Sequence, residues 1–153
     1  MCLSTPMVDP EGELLAGRYR LRARLGSGGM GTVWRATDEF LEREVAVKEM
    51  TVLGEVEQSA PAFQRVLREG RTSARLRHRN IVTVYDVVLE GGRPWIVMEL
   101  VEGRSLADVV KRDGPLPDNR AADVARQLLA ALAHIHEQGI LHRDVKPANV
   151  LLD

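Results

Sequence analysis

The 153-residue sequence holds a single cysteine, Cys2, so no internal disulfide can form, and no Cys/His group stands at zinc-ligand spacing. It has no uninterrupted apolar run long enough to span a bilayer. The opening residues, MCLSTPMVDPEGELLAG, lack the basic segment and apolar stretch of a signal peptide, so the chain as given is expected in the cytoplasm, with no membrane segment of its own. Net charge is −1, and no global field argues for nucleic acid or an anionic membrane. The local run Arg71, Arg75, Arg77, His78, Arg79 reads as a solvated face, and no nucleic-acid partner is expected. Internal repeats and low-complexity stretches are absent. Lysine is scarce as well: Lys48, Lys111 and Lys146 are the only ones, so each calls for an explanation. What is present, 44% hydrophobic and 28% charged residues, is the balance of a soluble globular protein, long enough for one ordinary domain or part of a larger one.

Residues 1–14 have the composition of a loose tail. From Arg18 the pattern turns to period two, with Tyr19, Leu21, Ala23 and Leu25 alternating with arginines, which predicts a half-buried strand. It enters GSGGMG and leaves in TVWRATD, so the glycines join two strands; REVAVKEM is a third. A helix over residues 60–76 comes next, with Ser59 as N-cap, Pro61 in its first turn and Phe63, Val66, Leu67 and Gly70 at helical spacing. IVTVYDVVL and RPWIVMEL predict two strands joined by Gly91-Gly92. Ser105 with Asp108 marks the start of a short helix, and Ala121, Val124, Ala125, Leu128, Leu129, Leu132 and Ile135 form one apolar stripe on a longer helix that stops at Gly139. The fold class is α+β: a small five-stranded antiparallel sheet with one inserted helix, then the start of a helical unit.

Gly26, Gly28 and Gly31 stand as G-x-G-x-x-G, with Val33 two further on. Glycines let backbone N–H groups approach phosphate oxygens with no Cβ in the way. A dinucleotide fold needs a helix directly after them, and here TVWRATD is a strand. A Walker A loop is excluded, since no G-x-x-x-x-G-K-[ST] occurs. A phosphate-covering hairpin fits. One strand later, Lys48 is placed to point beneath that hairpin as a compact counter-charge. Such a lysine needs an anion to hold it. Glu69 is the best candidate on the following helix, with a plain surface glutamate as the other reading. The neighbouring Gly70 lowers helix stability by roughly 1 kcal/mol relative to alanine, so the helix is expected to swing, making and breaking the Lys48–Glu69 pair.

In HRDVKPANVLLD, Asp144 lies between Arg143 and Lys146, and Pro147 keeps the segment out of a helix interior. A carboxylate held in such a loop can orient a hydroxyl and accept its proton during phosphoryl transfer. Lys146 can neutralise γ-phosphate charge, and Asn149 can offer a carbonyl oxygen to Mg²⁺. A charged turn explains any one of these residues but is a poor account of all of them at this spacing.

Taken together, GSGGMGTV, VAVK, a helix with Glu69, HRNIV, IVMEL and HRDVKPANVLLD resemble the protein kinase family in order and separation. The wording from LAGRYRL to TVWRATD is most similar to bacterial, especially actinobacterial, kinases of eukaryotic type, and Lys146 is similar to the serine/threonine branch. The resemblance implies ATP and Mg²⁺ as cofactors and a protein substrate bearing Ser or Thr. It implies that the loop Leu25, Gly26, Ser27, Gly28, Gly29, Met30 and Gly31 covers the phosphates, and that Lys48 contacts them and pairs with Glu69. Val33 and Ala46 would lie above the adenine and Leu151 below it. Backbone atoms of Glu99 and Val101 would bond its edge, and Met98 would limit access behind it. Asp144 would be the catalytic aspartate, assisted by Lys146, and Asn149 one metal ligand. Arg143 would meet a phosphorylated activation segment, and His142 would fix backbone.

Residues 15–101 would then be a small lobe and hinge, and 102–153 a partial large lobe that stops before the family's Asp-Phe-Gly motif. The expectation is a kinase portion with weak nucleotide binding and little transfer of its own, which self-associates through the small lobe or an exposed apolar helix. The competing reading is a non-catalytic kinase-like module that binds nucleotide or a partner kinase.

Overall fold

Hydrophobic alternation organises six short stretches between Leu14 and Met98 into one antiparallel sheet. In this computed structural model, residues 11–28, 31–50 and 60–153 are described. Ser59, Gly29, Met30, Cys2 and most of the expected tail lie outside them. The strands are β1 (Leu14–Leu15), β2 (Tyr19–Gly28), β3 (Gly31–Asp38), β4 (Arg43–Glu49), β5 (Val84–Glu90) and β6 (Arg93–Met98), in the order β1-β2-β3-β4-β6-β5. The five expected strands are joined by β1, which falls across the end of the expected tail. Leu15 explains it: its side chain is fully buried, and Leu14 and Leu15 pair with Arg20 and Tyr19. Gly12 N–H also donates to Leu21 O at 2.9 Å.

The odd–even pleat separates two faces. Trp34, Ala36, Val45, Val47, Trp95 and Val97 join Leu15, Tyr19 and Leu21 in the core. The opposite face carries Val33, Ala46, Lys48, Ile96 and Met98, since Val33 pairs with Lys48, Lys48 with Ile96, and Ala46 with Met98. Strand β2 departs from simple alternation. Register shifts between Leu21 and Ala23 and between Arg24 and Gly26 insert bulges, so Ala23 and Leu25 leave the core and Leu25 is 47% exposed.

The sheet curls until its two ends meet. Tyr19 Oη donates to Asp86 Oδ2 at 2.8 Å, and Ala16 N–H donates to Glu90 Oε2 at 3.2 Å, tying β2 and the β1–β2 turn to β5. Burial, then the bond to Asp86, pushes the Tyr19 hydroxyl pKa well up. Asp38 closes β3. Its fully buried carboxylate takes two bonds of 2.8 Å from Arg18 and the N–H groups of Phe40 and Leu41 at 3.2 Å. Arg43 approaches it at 3.5 Å and stacks over Tyr85 at 3.9 Å. Gly91 and Gly92, at φ of 58° and 76°, make the β5–β6 turn with both central residues left-handed, as a two-residue hairpin requires.

Helix α1 spans Ala60–Ser73, shorter than the expected 60–76 because the chain tightens at once into turns, Arg75 N–H to Thr72 O at 3.2 Å and Leu76 N–H to Ser73 O at 3.1 Å. Gly70 is buried, and a Cβ there would lie 2.4 Å from Val87 Cγ2, so this glycine lets α1 approach β5. Val87 pairs with Ile96, which places α1 over the Lys48 face.

The chain divides into two units, Met1–Arg71 with Val84–Leu100, and Thr72–Thr83 with Val101–Asp153. The second contains β7 (Arg104–Ser105), α2 (Leu106–Asp113), α3 (Asp118–Glu137), a 3-10 turn over Pro147–Asn149 and β8 (Leu151–Leu152), which pairs with β7. Ser105 caps α2, accepting from Asp108 N–H at 3.1 Å. Gly139, at φ 73°, ends α3: its N–H bonds to His136 O at 2.9 Å and that of Ile140 to Ile135 O at 3.0 Å, the paired bonds of a Schellman stop. Of the apolar stripe on α3, Ile135 is buried, Val124, Leu128 and Leu132 are half-buried, and Leu129 is 65% exposed.

Candidate functional site

The glycine hairpin forms as its sequence requires: Gly26 faces Val33, Ser27 faces Thr32 and Gly28 faces Gly31 across β2 and β3. A Cβ on Gly26 would meet nothing within 4 Å. The inner side of this loop is therefore open at Gly26. The sheet then sets Val33, Ala46, Lys48 and Met98 side by side on one face, with Ala46 buried and Lys48 and Met98 half-buried. Aliphatic groups beside one half-buried ammonium suit a flat apolar ring with a polyanionic tail. Glu99 comes directly after β6 in the sheet unit, and Val101 is the first residue of the second segment of the other unit.

Glu69 departs from expectation. Among the described residues Lys48 and Glu69 form no ion pair, and Glu69 is exposed on α1. The reason lies next to it: Gly70 is the residue that turns in against Val87, which leaves Glu69 outward.

In the second unit the loop after α3 gathers the other predicted residues around Asp144. Lys146 Nζ stands 3.2 Å from Asp144 Oδ2. Asn149 Nδ2 donates to the same oxygen at 3.0 Å and to the Asp144 carbonyl at 2.9 Å. The 3-10 turn at Pro147–Asn149 brings Asn149 back to the aspartate, and Arg143, at φ 64°, makes the left-handed bend before it. His142 Nδ1 accepts the Asp144 N–H at 3.3 Å, so the imidazole holds backbone. The Lys146 ammonium first, then the Asn149 amide, hold the Asp144 carboxyl below the usual carboxylate range. It is therefore ionised at neutral pH, with Oδ1 left to meet a hydroxyl.

Asn149 also bears on metal binding. Because its Nδ2 is committed to two acceptors on Asp144, its Oδ1 is the atom left to face a cation. Among the described residues no three His, Cys, Asp or Glu side chains gather in a metal-holding group. One neutral oxygen fits Mg²⁺ brought in with phosphates and water, not a cage made wholly of protein.

Leu151, in β8, is 45% exposed, and its place is set by backbone pairing with Ser105. Sequence reasoning missed β7 and the close approach of Gly103 to Leu152; a lone glycine before a capping serine carries no signal for either.

The protein kinase domain profile matches residues 19–153. The serine/threonine-protein kinase PrkC of Bacillus subtilis is 38% identical over 142 residues, covering 93% of this chain and 22% of that protein. The serine/threonine-protein kinase PknL of Mycobacterium tuberculosis is 42% identical over 147 residues, covering 94% of this chain and 36% of that protein. Among solved structures, the PknI kinase domain of Mycobacterium tuberculosis superposes with a TM-score of 0.80 at 30% identity, over 94% of this chain and 57% of that one. The chain thus spans about a fifth to a third of the length of the PrkC and PknL proteins.

Proposed function

Because this chain belongs to the protein kinase family, with bacterial serine/threonine kinases as its relatives, we propose that its two residue sets serve ATP-dependent phosphoryl transfer to a protein Ser or Thr hydroxyl. The observation that carries the reading is the Asp144 cluster. An ionised carboxylate is fixed by Lys146 and Asn149, with one oxygen left to orient the hydroxyl and accept its proton as the oxygen attacks phosphorus.

The sheet unit supplies the rest. The loop Leu25–Gly31 offers backbone N–H groups to phosphate oxygens, and Lys48 offers its ammonium. Val33, Ala46 and Met98 give apolar contact to the base, and backbone atoms of Glu99 bond its edge. Mg²⁺, when bound at Asn149, would supply charge neutralisation on the phosphates. Asn149 would hold the ion through Oδ1, and Lys146 would meet the γ-phosphate. Glu69 is read as the Lys48 partner once α1 moves inward.

The exposed position of Glu69 favours a second reading for this polypeptide on its own, nucleotide binding without turnover. Incubating the chain with labelled Mg-ATP and a Ser/Thr-bearing protein separates the two. Binding with no steady turnover is expected; steady turnover abolished by Asp144→Asn would overturn the claim of inactivity. Self-association of the chain is also part of this reading, through the small lobe or the exposed stripe of α3. Sedimentation with a Leu129→Glu variant tests the second route.

A further inference from the structure

We propose that Leu106 is a positioning residue for phosphoryl transfer, one whose backbone N–H ties the exit of the Asp144 loop to the first turn of α2; the inference rests on the site reading above and lies wholly within the second unit. Leu106 N–H donates to Val150 O at 2.7 Å. A helix leaves its first N–H groups without partners of its own, and here the carbonyl that follows Asn149 takes one of them. Asp108 N–H is taken separately, by Ser105 Oγ at 3.1 Å. At its other end α2 closes with Gly114 N–H on Val110 O at 2.9 Å. Both ends of α2 are thus capped from within, and the Val150 carbonyl docks on a helix that does not need it for a cap.

Asn149 depends on such an anchor. It is exposed, so packing does not place it, and the 3-10 turn that presents it is three residues long. Asn149 N–H closes that turn on Lys146 O at 2.9 Å, but the bond after it, Val150 N–H to Pro147 O, is stretched to 3.4 Å. The bond that pins the chain directly after Asn149 is therefore the short one from Leu106. Leu151 and Leu152 then continue in β8 against Ser105 and Arg104. Without the Leu106 bond the turn is free to unwind. The two bonds from Asn149 Nδ2, to Asp144 Oδ2 at 3.0 Å and to Asp144 O at 2.9 Å, go with it, and the carboxylate loses the fixed direction in which it meets a hydroxyl.

Proline isolates the donor. Leu106→Pro deletes the N–H yet suits the helix, because proline is favoured at the first helical position and Ser105 before it already has φ −66° and ψ 149°, the extended backbone that a following proline requires. Leu106→Ala keeps the N–H and removes the side chain. In the isotope-labelled chain, NMR follows solvent exchange of the Asn149 Nδ2 protons, which reads the clamp on Asp144 itself, and of the Gly114 amide, which reads the integrity of α2. Leu106→Pro is expected to speed Asn149 exchange by about tenfold, the loss of one hydrogen bond, and to leave Gly114 unchanged. Leu106→Ala, with the hydrogen bond retained, is expected to stay within about twofold of wild type.

Asn149 exchange in Leu106→Pro equal to wild type overturns the inference. So does equal acceleration in Leu106→Ala, which assigns the effect to the side chain. If Leu106→Pro does not fold or loses its Gly114 protection, the reciprocal variant decides, since coupling acts in both directions. Asn149→Ala that speeds exchange of the Leu106 amide by about fivefold or more supports the inference, and a smaller change overturns it. The site reading has its own readout: Mn²⁺ with ATP, added to wild type, is expected to broaden the Asn149 side-chain signal. A signal that stays sharp overturns the site reading, a different result from exchange rates that Leu106→Pro does not alter.

Discussion

Replacing Gly70 by alanine sets two opposite effects against each other, and the structure says which prevails. In an exposed helix interior the substitution would add roughly 1 kcal/mol of stability through helix propensity. Gly70 is buried, however, and the new Cβ would lie 2.4 Å from Val87 Cγ2, about 1 Å inside an optimal carbon–carbon contact. Val87 is β-branched and half-buried on β5, so its methyl has little freedom to turn away. Overpacking of this kind costs about 1–3 kcal/mol, which leaves a net loss of up to about 2 kcal/mol. Val87→Ala alone should cost about 1 kcal/mol for the methyl groups removed from a half-buried site. In that background the clash is gone, and Gly70→Ala should stabilise by up to about 1 kcal/mol. Urea unfolding of the four proteins, with hydrogen exchange across α1, measures the cycle. A Gly70→Ala variant that stabilises the unmodified chain, with no coupling to Val87, would refute the packing argument and restore a purely local role for the glycine.

Two further outcomes come from the charged groups. Arg18 first, then the turn N–H groups, hold Asp38 at about 2, below its ordinary 3.8, so its contribution to stability is full above about pH 4 and is lost as pH falls through 2. Asp38→Asn should destabilise by about 2–4 kcal/mol at neutral pH and flatten the acid limb of the stability profile between about pH 4 and 2, as read from melting temperature against pH. At the second unit, Lys146→Met and Asn149→Ala should each raise the Asp144 carboxyl toward its usual range, Lys146→Met further, as followed by carboxyl-carbon NMR.

Local signals in the sequence were enough for the glycine hairpin, the Gly91-Gly92 turn, the capped α2 and the Gly139 stop, because each is decided by one or two residues. Strand β1 was not legible: two leucines carry no period, and Leu15 is a strand residue only because the core has room for it. The outward turn of Leu25 was hidden too, since bulges break alternation without marking composition. Lys48, Asp144, Lys146 and Asn149 were singled out by motif, and the loop that brings the last three together depends on Pro147 and the left-handed Arg143. Glu69 shows the limit of reading by pattern. It was the best acidic candidate on the helix that follows Lys48, but the way α1 packs is set by Gly70 against Val87, a three-dimensional fact. The same holds for Gly103, where an added Cβ would lie 2.2 Å from the carbonyl oxygen of Leu152, nearly fifty residues further along the chain.

Calorimetric titration of ATP into this chain and its Lys48→Ala variant, each with and without Mg²⁺, tests the nucleotide site most directly. Saturable binding of one nucleotide is predicted, needing Mg²⁺ and weakening about tenfold or more in Lys48→Ala, the loss expected for one charge-assisted phosphate contact. Saturable binding that is indifferent to Lys48, or no saturable binding at all, would contradict it.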